Sequence, residues 1–219
     1  MSINTRKRII DAAKPLFNQE GYGAPSLYQL AQELGMSRGN VTYYFKDKES
    51  LLNAIIEEMC QEYDRLMDST TQFPSWESTH ESTLAFHDLQ RAYSFIFFDK
   101  QLLQLPGVRV QIKEMRRRHL EWQMSIIRFS IQIGNMKQED IPGTYINLCR
   151  TIWHASFFWL MGEVYMEDEE KDYGKYVWSI ILPHFTEKGL GAFKDHFGQE
   201  YFDSLGQLFD QFDPVLFSI

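Results

Sequence analysis

The stretch G-M-S-R-G-N-V-T-Y-Y-F-K-D-K-E-S-L-L, residues 35–52, decides how the chain is read. Gly35 stands where a left-handed cap ends one helix. Ser37 is an N-cap for the next, and Met36 and Val41 occupy the two positions of a hydrophobic staple. Val41 and Phe45 lie one turn apart and face inward. Arg38, Gly39, Asn40, Thr42, Tyr43 and Tyr44 then fall on or near the open side. Asp47 caps a further helix, about 47–67, whose apolar stripe is Leu51, Leu52, Ile55, Ile56, Met59, Tyr63 and Leu66.

Upstream, Ser26 and Gln29 fit a capping box, and Leu27, Leu30, Ala31 and Leu34 follow the i, i+3, i+4, i+7 pattern of a short helix. An earlier helix runs from about Thr5 to Gln19 on Ile9, Ile10, Ala13, Leu16 and Phe17, and Gly21 and Gly23 stop it. Pro15 inside it removes a hydrogen bond and crowds the carbonyl of Asp11, which predicts a kink or break. The whole reads as three helices ending in a helix–turn–helix. Two short helices around a glycine turn are also a common structural corner. The exposed side chains favour DNA: Arg forks onto guanine, Asn onto adenine, and Tyr and Lys hold phosphates.

The charge balance agrees. The 219 residues carry 22 Lys+Arg against 30 Asp+Glu, a net charge of −8. Residues 1–50 hold seven basic and five acidic side chains, a local +2, so the remainder carries −10. A basic N-terminal surface on an acidic body suits nucleic-acid binding. Hydrophobic content of 44% and aromatic content of 15% support a substantial core. Cys60 and Cys149 lack metal-ligand spacing, and two cysteines predict a reducing, cytoplasmic setting. The most apolar segment, residues 151–166, is too short to span a bilayer and contains His154 and Glu163, so it reads as a buried helix and no membrane is expected.

Enzymatic signatures are missing. A helical di-iron site needs two Glu-x-x-His pairs, and the chain has one, Glu77 to His80. His80 and His87 share a helix face only loosely and have no cysteine partners for zinc. There is no Gly-rich phosphate loop and no Gly-x-Ser-x-Gly elbow. A protein that is not an enzyme, with no metal site and no cofactor, is expected.

Residues 26–52 resemble the DNA-binding domain of the tetracycline-repressor (TetR/AcrR) family. The matching features are Ser26, Leu30-Ala31, Gly35-Met36-Ser37, Gly39, Tyr43-Tyr44-Phe45 and Lys48-Glu49-Ser50-Leu51. D-A-A-K-P-L-F-N-Q-E-G-Y, residues 11–22, fits the family's first helix. The likeness covers roughly residues 5–66. The family usually has tyrosine where this chain has Thr42, and often histidine where it has Tyr44. The resemblance implies an all-α protein: an N-terminal three-helix helix-turn-helix domain, residues 1–50, joined through the fourth helix to a larger helical ligand-binding and dimerisation domain, residues 68–219. It implies a homodimer on near-palindromic double-stranded operator DNA, and a repressor released by a small molecule. Arg38 and Asn40 are then the base readers, and Thr42 meets a thymine methyl or a phosphate. Tyr43, Tyr44 and Lys48 anchor the backbone, helped by Ser26 and the N-terminal end of the second helix. Ser37, Gly39 and Lys46 complete the surface.

In the body, residues 69–75 read as a connection. Helices are expected at about 76–98, 108–134, 140–166, 171–188 and 199–211, with a break at Pro106-Gly107 and an acidic run at 167–172. The pair 140–166 and 171–188 is the candidate dimer bundle, because the first is apolar nearly all round; a central helix of a monomeric core is the plainer alternative. Phe95, Phe98, Trp122, Phe129, Trp153 and Phe157 are candidates to line a cavity for a largely apolar or aromatic effector, with Arg91 and His154 supplying polarity. Aromatics at helical spacing also serve as plain core. Arg116, Arg117 and Arg118 read as a solvated face, or as contacts for an acidic ligand. A helix-turn-helix protein without a small-molecule switch, controlled by a protein partner or architectural, is the second reading. A cavity of ligand size discriminates between the two.

Overall fold

The computed structural model describes residues 2–70, 74–166 and 172–205. The described chain is all-α. Its helices are α1 (Ser2–Glu20), α2 (Leu27–Glu33), α3 (Arg38–Tyr44), α4 (Lys48–Thr70), α5 (Trp76–Ala92) and α6 (Ser94–Phe98). There follow α7 (Lys100–Gln104), α8 (Pro106–Gln132), α9 (Thr144–Met161), α10 (Tyr173–Ile181), α11 (Glu187–Phe197) and α12 (Gln199–Asp203). A π-helical turn, Gly162–Met166, extends α9, and a 3-10 turn, Leu182–His184, follows α10. The described residues fall into two compact units, within Met1–Leu66 plus Asp88–Met115 and within Met67–His87 plus Arg116–Ile219. The unit boundaries lie inside α4, α5 and α8.

In the first unit, Ile9, Ile10, Ala13, Leu16 and Phe17 of α1 are all buried, as the stripe predicts. So are Leu30, Ala31, Val41 and Phe45, and Leu51, Leu52, Ile55 and Met59 of α4. Pro15 does not break α1, which is continuous. The proline is exposed, on the side opposite the buried stripe. There the carbonyl it leaves without an N–H partner can be hydrated, and burial of the other face keeps the helix continuous.

The helix expected over 76–98 is interrupted at Tyr93. Asn18 of α1 satisfies the groups freed by the break: its Nδ2 donates to the carbonyl of Ala92 (3.1 Å) and its Oδ1 accepts from the N–H of Phe95 (3.0 Å). Pro106 does not end a helix. It begins α8, where its fixed φ suits a first turn and its missing N–H is no loss.

The second unit packs α9 and α10 around Cys149, Ile152, Trp159, Tyr173 and Trp178. The helix expected over 171–188 is two helices. Pro183 lies in the turn between them, Phe185 is extended, and Thr186 caps α11 by accepting from the N–H of Gly189 (3.1 Å). The segment expected to be apolar nearly all round has a polar side in α9, where Asn147, Arg150, Thr151 and His154 are exposed. Met136 and Phe185 form an isolated antiparallel bridge. Most of the acidic run 167–172, part of the 69–75 connection, and residues 206–211 of the expected last helix lie outside the described residues.

Gly189 permits a close approach. A methyl group there would meet the Asn135 carbonyl and the Phe185 ring well inside contact distance. Gly189→Ala is expected to cost about 1–3 kcal/mol, which lowers the melting temperature by roughly 2–10 °C. Gly191→Ala, on the same helix with open space around it, is expected to be neutral or stabilising. Thermal melts followed by circular dichroism check both.

Candidate nucleic-acid interface and cavity

The turn between α2 and α3 is closed by specific hydrogen bonds. Ser26 Oγ accepts from the N–H of Gln29 (3.1 Å) and starts α2. The reciprocal half of the expected capping box is absent, because Gln29 Nε2 donates to Glu20 of α1 instead (2.9 Å). At the far end Gly35 has φ +64°. Its N–H reaches the Gln32 carbonyl (3.0 Å), and the Met36 N–H reaches the Ala31 carbonyl (2.8 Å). These two bonds make a Schellman motif, and the left-handed residue in it favours glycine. Ser37 then caps α3, accepting from the N–H of Asn40 (3.2 Å).

Val41 and Phe45 fix the inner face of α3 and are almost fully buried. Arg38, Gly39 and Asn40 are exposed on the outer face. Tyr43 is 83% exposed and meets Tyr44 edge to face, with centroids 5.2 Å apart. Thr42 donates its hydroxyl to the carbonyls of Arg38 (3.1 Å) and Gly39 (3.2 Å). The methyl group and the oxygen lone pairs are what it has left to offer a partner. Lys46 is exposed and lies 3.8 Å from Asp47.

Lys48 points elsewhere. Its ammonium donates to the Gly23 carbonyl (3.2 Å) and lies over the rings of Tyr22 (4.7 Å) and Phe17 (5.4 Å). Burial pushes this ammonium below its usual pKa. The geometry ties the start of α4 to the end of α1. The expected role of Lys48 as a backbone anchor would use the donors that this carbonyl leaves over. Asp47 caps α4 as expected: its carboxylate accepts from the N–H of Ser50 (2.7 Å), a bond that lowers its pKa.

An ionic cluster supports this end of the molecule. Glu58 of α4 accepts from Lys7 (2.9 Å) and Lys14 (2.8 Å) of α1 and from the Tyr93 hydroxyl (3.1 Å). Burial opposes ionisation of Glu58, but the two lysines outweigh it and hold the carboxyl below its usual range. No simple sequence pattern announces the cluster, because the partners lie 35 to 51 residues from Glu58.

The second unit contains a cavity of about 250 Å³. Of the candidate lining residues, Trp122 and Phe129 line it. The other six proposed lining residues do not. Arg91, Phe95 and Phe98 belong to the first unit, because the boundary between the units falls inside α5, between His87 and Asp88. Phe95 is buried against Phe17 there, and Arg91 is exposed beside Asp88. Trp153 is buried against Phe86 and His119, Phe157 packs on Trp153, and His154 is exposed. Arg116 and Arg117 are exposed, and none of the three consecutive arginines lines the cavity. The sequence reading missed His119, Gln123, Trp76 and Trp178, all on the cavity wall. His119 ends the basic run R-R-R-H, yet it stands one turn after buried Met115 and one before Trp122. That i, i+4, i+7 spacing was the available signal.

Burial pushes the His119 imidazole down to about 3, so it is neutral near pH 7. Among the described residues, no group of three or more His, Cys, Asp or Glu side chains is placed to hold a metal ion. None of the described helices is long and apolar enough to cross a membrane.

A capped three-helix unit with an open, polar recognition helix, in an all-α chain, defines a helix-turn-helix DNA-binding protein. Residues 9–55 match the family model for bacterial regulatory proteins of the tetR family. Over 88% of its length the chain is 26% identical to the whole of an uncharacterized HTH-type transcriptional regulator, YhgD, of Bacillus subtilis (strain 168). A TetR-family transcriptional regulator from Marinobacter aquaeolei VT8 superposes with a TM-score of 0.75 at 19% identity, covering 94% of this chain and 98% of that one. The SmeT–triclosan complex superposes with a TM-score of 0.61 at 19% identity, covering 85% and 94%. Residues 9–55 thus carry the DNA-binding domain of the tetR family, and the chain as a whole is similar to TetR/AcrR transcriptional regulators, which bind DNA.

The Glu58 cluster makes stability depend on pH. A carboxyl held below its usual value stabilises the fold when ionised. That contribution is present above the ordinary value of 4.5 and is lost as pH falls through the lower folded value. Glu58→Gln is therefore expected to be less stable than the parent at neutral pH by about 1 kcal/mol. The gap should close as pH falls below about 4. Urea denaturation of both proteins across that range checks it.

Proposed function

We propose that the protein is a homodimeric repressor that binds a near-palindromic operator and leaves it when a small molecule occupies the cavity. The observation that carries the DNA half is α3 itself. One face is locked by Val41 and Phe45, and the other presents Arg38, Gly39, Asn40 and Tyr43 to solvent. In this reading residues 1–50 bind DNA and residues 68–219 dimerise and respond to ligand. The protein works in the cytoplasm, where the operator lies.

Arg38 and Asn40 read bases in the major groove. Thr42 offers its methyl to a thymine, since its hydroxyl already serves the backbone. Tyr43, Tyr44 and Lys46 hold phosphates. Lys48 and the serine caps at 26 and 37 position the helix. The two recognition helices of a dimer enter grooves about 34–36 Å apart, or a multiple of that spacing. The segments 140–166 and 171–188 form the dimer contact. Phe158, 74% exposed on α9, supports this, because a large ring so open to water favours a covering partner.

The cavity supports the ligand half, and so does the solved complex of the structurally similar SmeT with triclosan. A ligand shifts the balance only by its differential affinity for the DNA-bound and released arrangements. Moving a population from 1:99 to 99:1 takes about 10⁴-fold. α4, α5 and α8, which contribute residues to both units, carry the change along the chain.

Two substitutions separate base reading from charge. Arg38→Ala is expected to cost about 1–3 kcal/mol on the operator and to relax preference at one base position. Lys46→Ala is expected to weaken all sequences alike and to lower the salt slope by about one unit. Fluorescence anisotropy on the operator, on single-base variants and across a salt series measures both. Uniform weakening by Arg38→Ala would contradict its assignment.

A further inference from the structure

Three residues that line the cavity each carry a buried polar atom without a hydrogen-bond partner: His119 Nδ1, Trp122 Nε1 and Gln123 Oε1. They come from one helix, α8, at positions i, i+3 and i+4, and therefore from one face. His119 is only 4% exposed and stacks on Phe86, with centroids 4.0 Å apart. An unpaired buried polar group is costly. Three together, on one face of a helix that lines a mainly apolar cavity, mark a place for a polar group of a ligand.

The wall also restricts charge. No lysine or arginine lines it. Its carboxylate, Glu77, and its second histidine, His196, are both exposed. Burial pushes the Cys149 thiol up to about 12 and raises the Tyr173 hydroxyl, so both stay protonated. With His119 neutral, the interior wall carries no charge, and a buried anion would have no counter-charge.

Trp122 N–H can only donate, and the Gln123 oxygen can only accept. A hydroxyl answers both. The remaining wall includes the rings of Trp76, Phe86, Phe129 and Trp178. A cavity of about 150 Å³ takes benzene, so 250 Å³ suits roughly ten to fifteen non-hydrogen atoms. We propose that the cavity binds an uncharged, mainly aromatic molecule of that size bearing a hydroxyl, held by Trp122, Gln123 and His119. This rests on the reading of the cavity as the effector site.

Equilibrium dialysis of the full chain at neutral pH against 2-naphthol, naphthalene and 2-naphthoate tests it. 2-Naphthol is expected to bind at least about tenfold tighter than either of the others. Trp122→Phe and Gln123→Leu are each expected to weaken 2-naphthol about fivefold or more and to leave naphthalene unchanged. Naphthoate binding as tightly as naphthol would overturn the assignment. So would an equal loss for naphthol and naphthalene in both variants. Binding of none of the three would show that the polar atoms serve ordered water, and would overturn it too. The comparison on the parent protein does not depend on how the variants fold. Operator release, measured in parallel, separates this inference from the switch. Naphthol that binds as expected but leaves operator DNA bound sinks the switch and keeps the ligand class. Release by the anion sinks the class and keeps the switch.

Discussion

Everything the N-terminal unit can do with DNA depends on the burial of Val41 and Phe45 beneath α3. A seven-residue helix is not stable alone. Each of these side chains contributes about 1.5–3 kcal/mol when fully removed from water, and together they hold α3 in the unit, where it packs against α2. The Schellman turn at Gly35 sets the approach, and the caps at Ser26 and Ser37 satisfy N–H groups that a short helix leaves open. With one face held in this way, Arg38 and Asn40 are presented from a rigid element rather than a loop. Rigidity matters because forked hydrogen bonds to a base tolerate little misalignment.

The second unit works by the opposite principle. Its aromatic core is dense around Trp178, Phe193 and Phe197, yet it leaves a space whose wall holds polar atoms unpaired in the protein alone. A core built only for stability would have leucine or phenylalanine at 119 and 123. Retaining histidine and glutamine there sacrifices stability unless something fills the space. Under the proposed switch that deficit is useful, since a ligand that repairs it has the differential affinity needed to move an equilibrium.

The DNA-facing half was readable in the sequence because its determinants are local. A cap is read two or three residues ahead, a left-handed glycine at one position, and an apolar stripe within two turns. Ser26, Gly35, Ser37 and Asp47 have the backbone roles their local sequence implied, and Val41 is buried as its spacing implied. Failures came where a distant residue decides. Pro15 suggested a break that packing of the opposite face prevents. The break at Tyr93 depends on Asn18, more than seventy residues earlier. The chain passes into the other unit already at Asp88, inside α5, and takes Arg91, Phe95 and Phe98 with it, which no periodicity over 76–98 reveals. Lys48 matched a motif by type, but its direction is set by the rings of Phe17 and Tyr22 and the carbonyl of Gly23. His119 was hidden in a run of arginines whose charge drew attention from its place on the apolar stripe.

The central claim is that the open face of α3 reads a specific DNA sequence. The direct measurement is selection of genomic DNA fragments by the purified protein, followed by a salt titration on the best fragment. The account predicts recovery of one near-palindromic motif, bound about a thousandfold or more tighter than bulk DNA. Weak, motif-free binding that disappears with salt would contradict it, because phosphate contacts alone produce that behaviour.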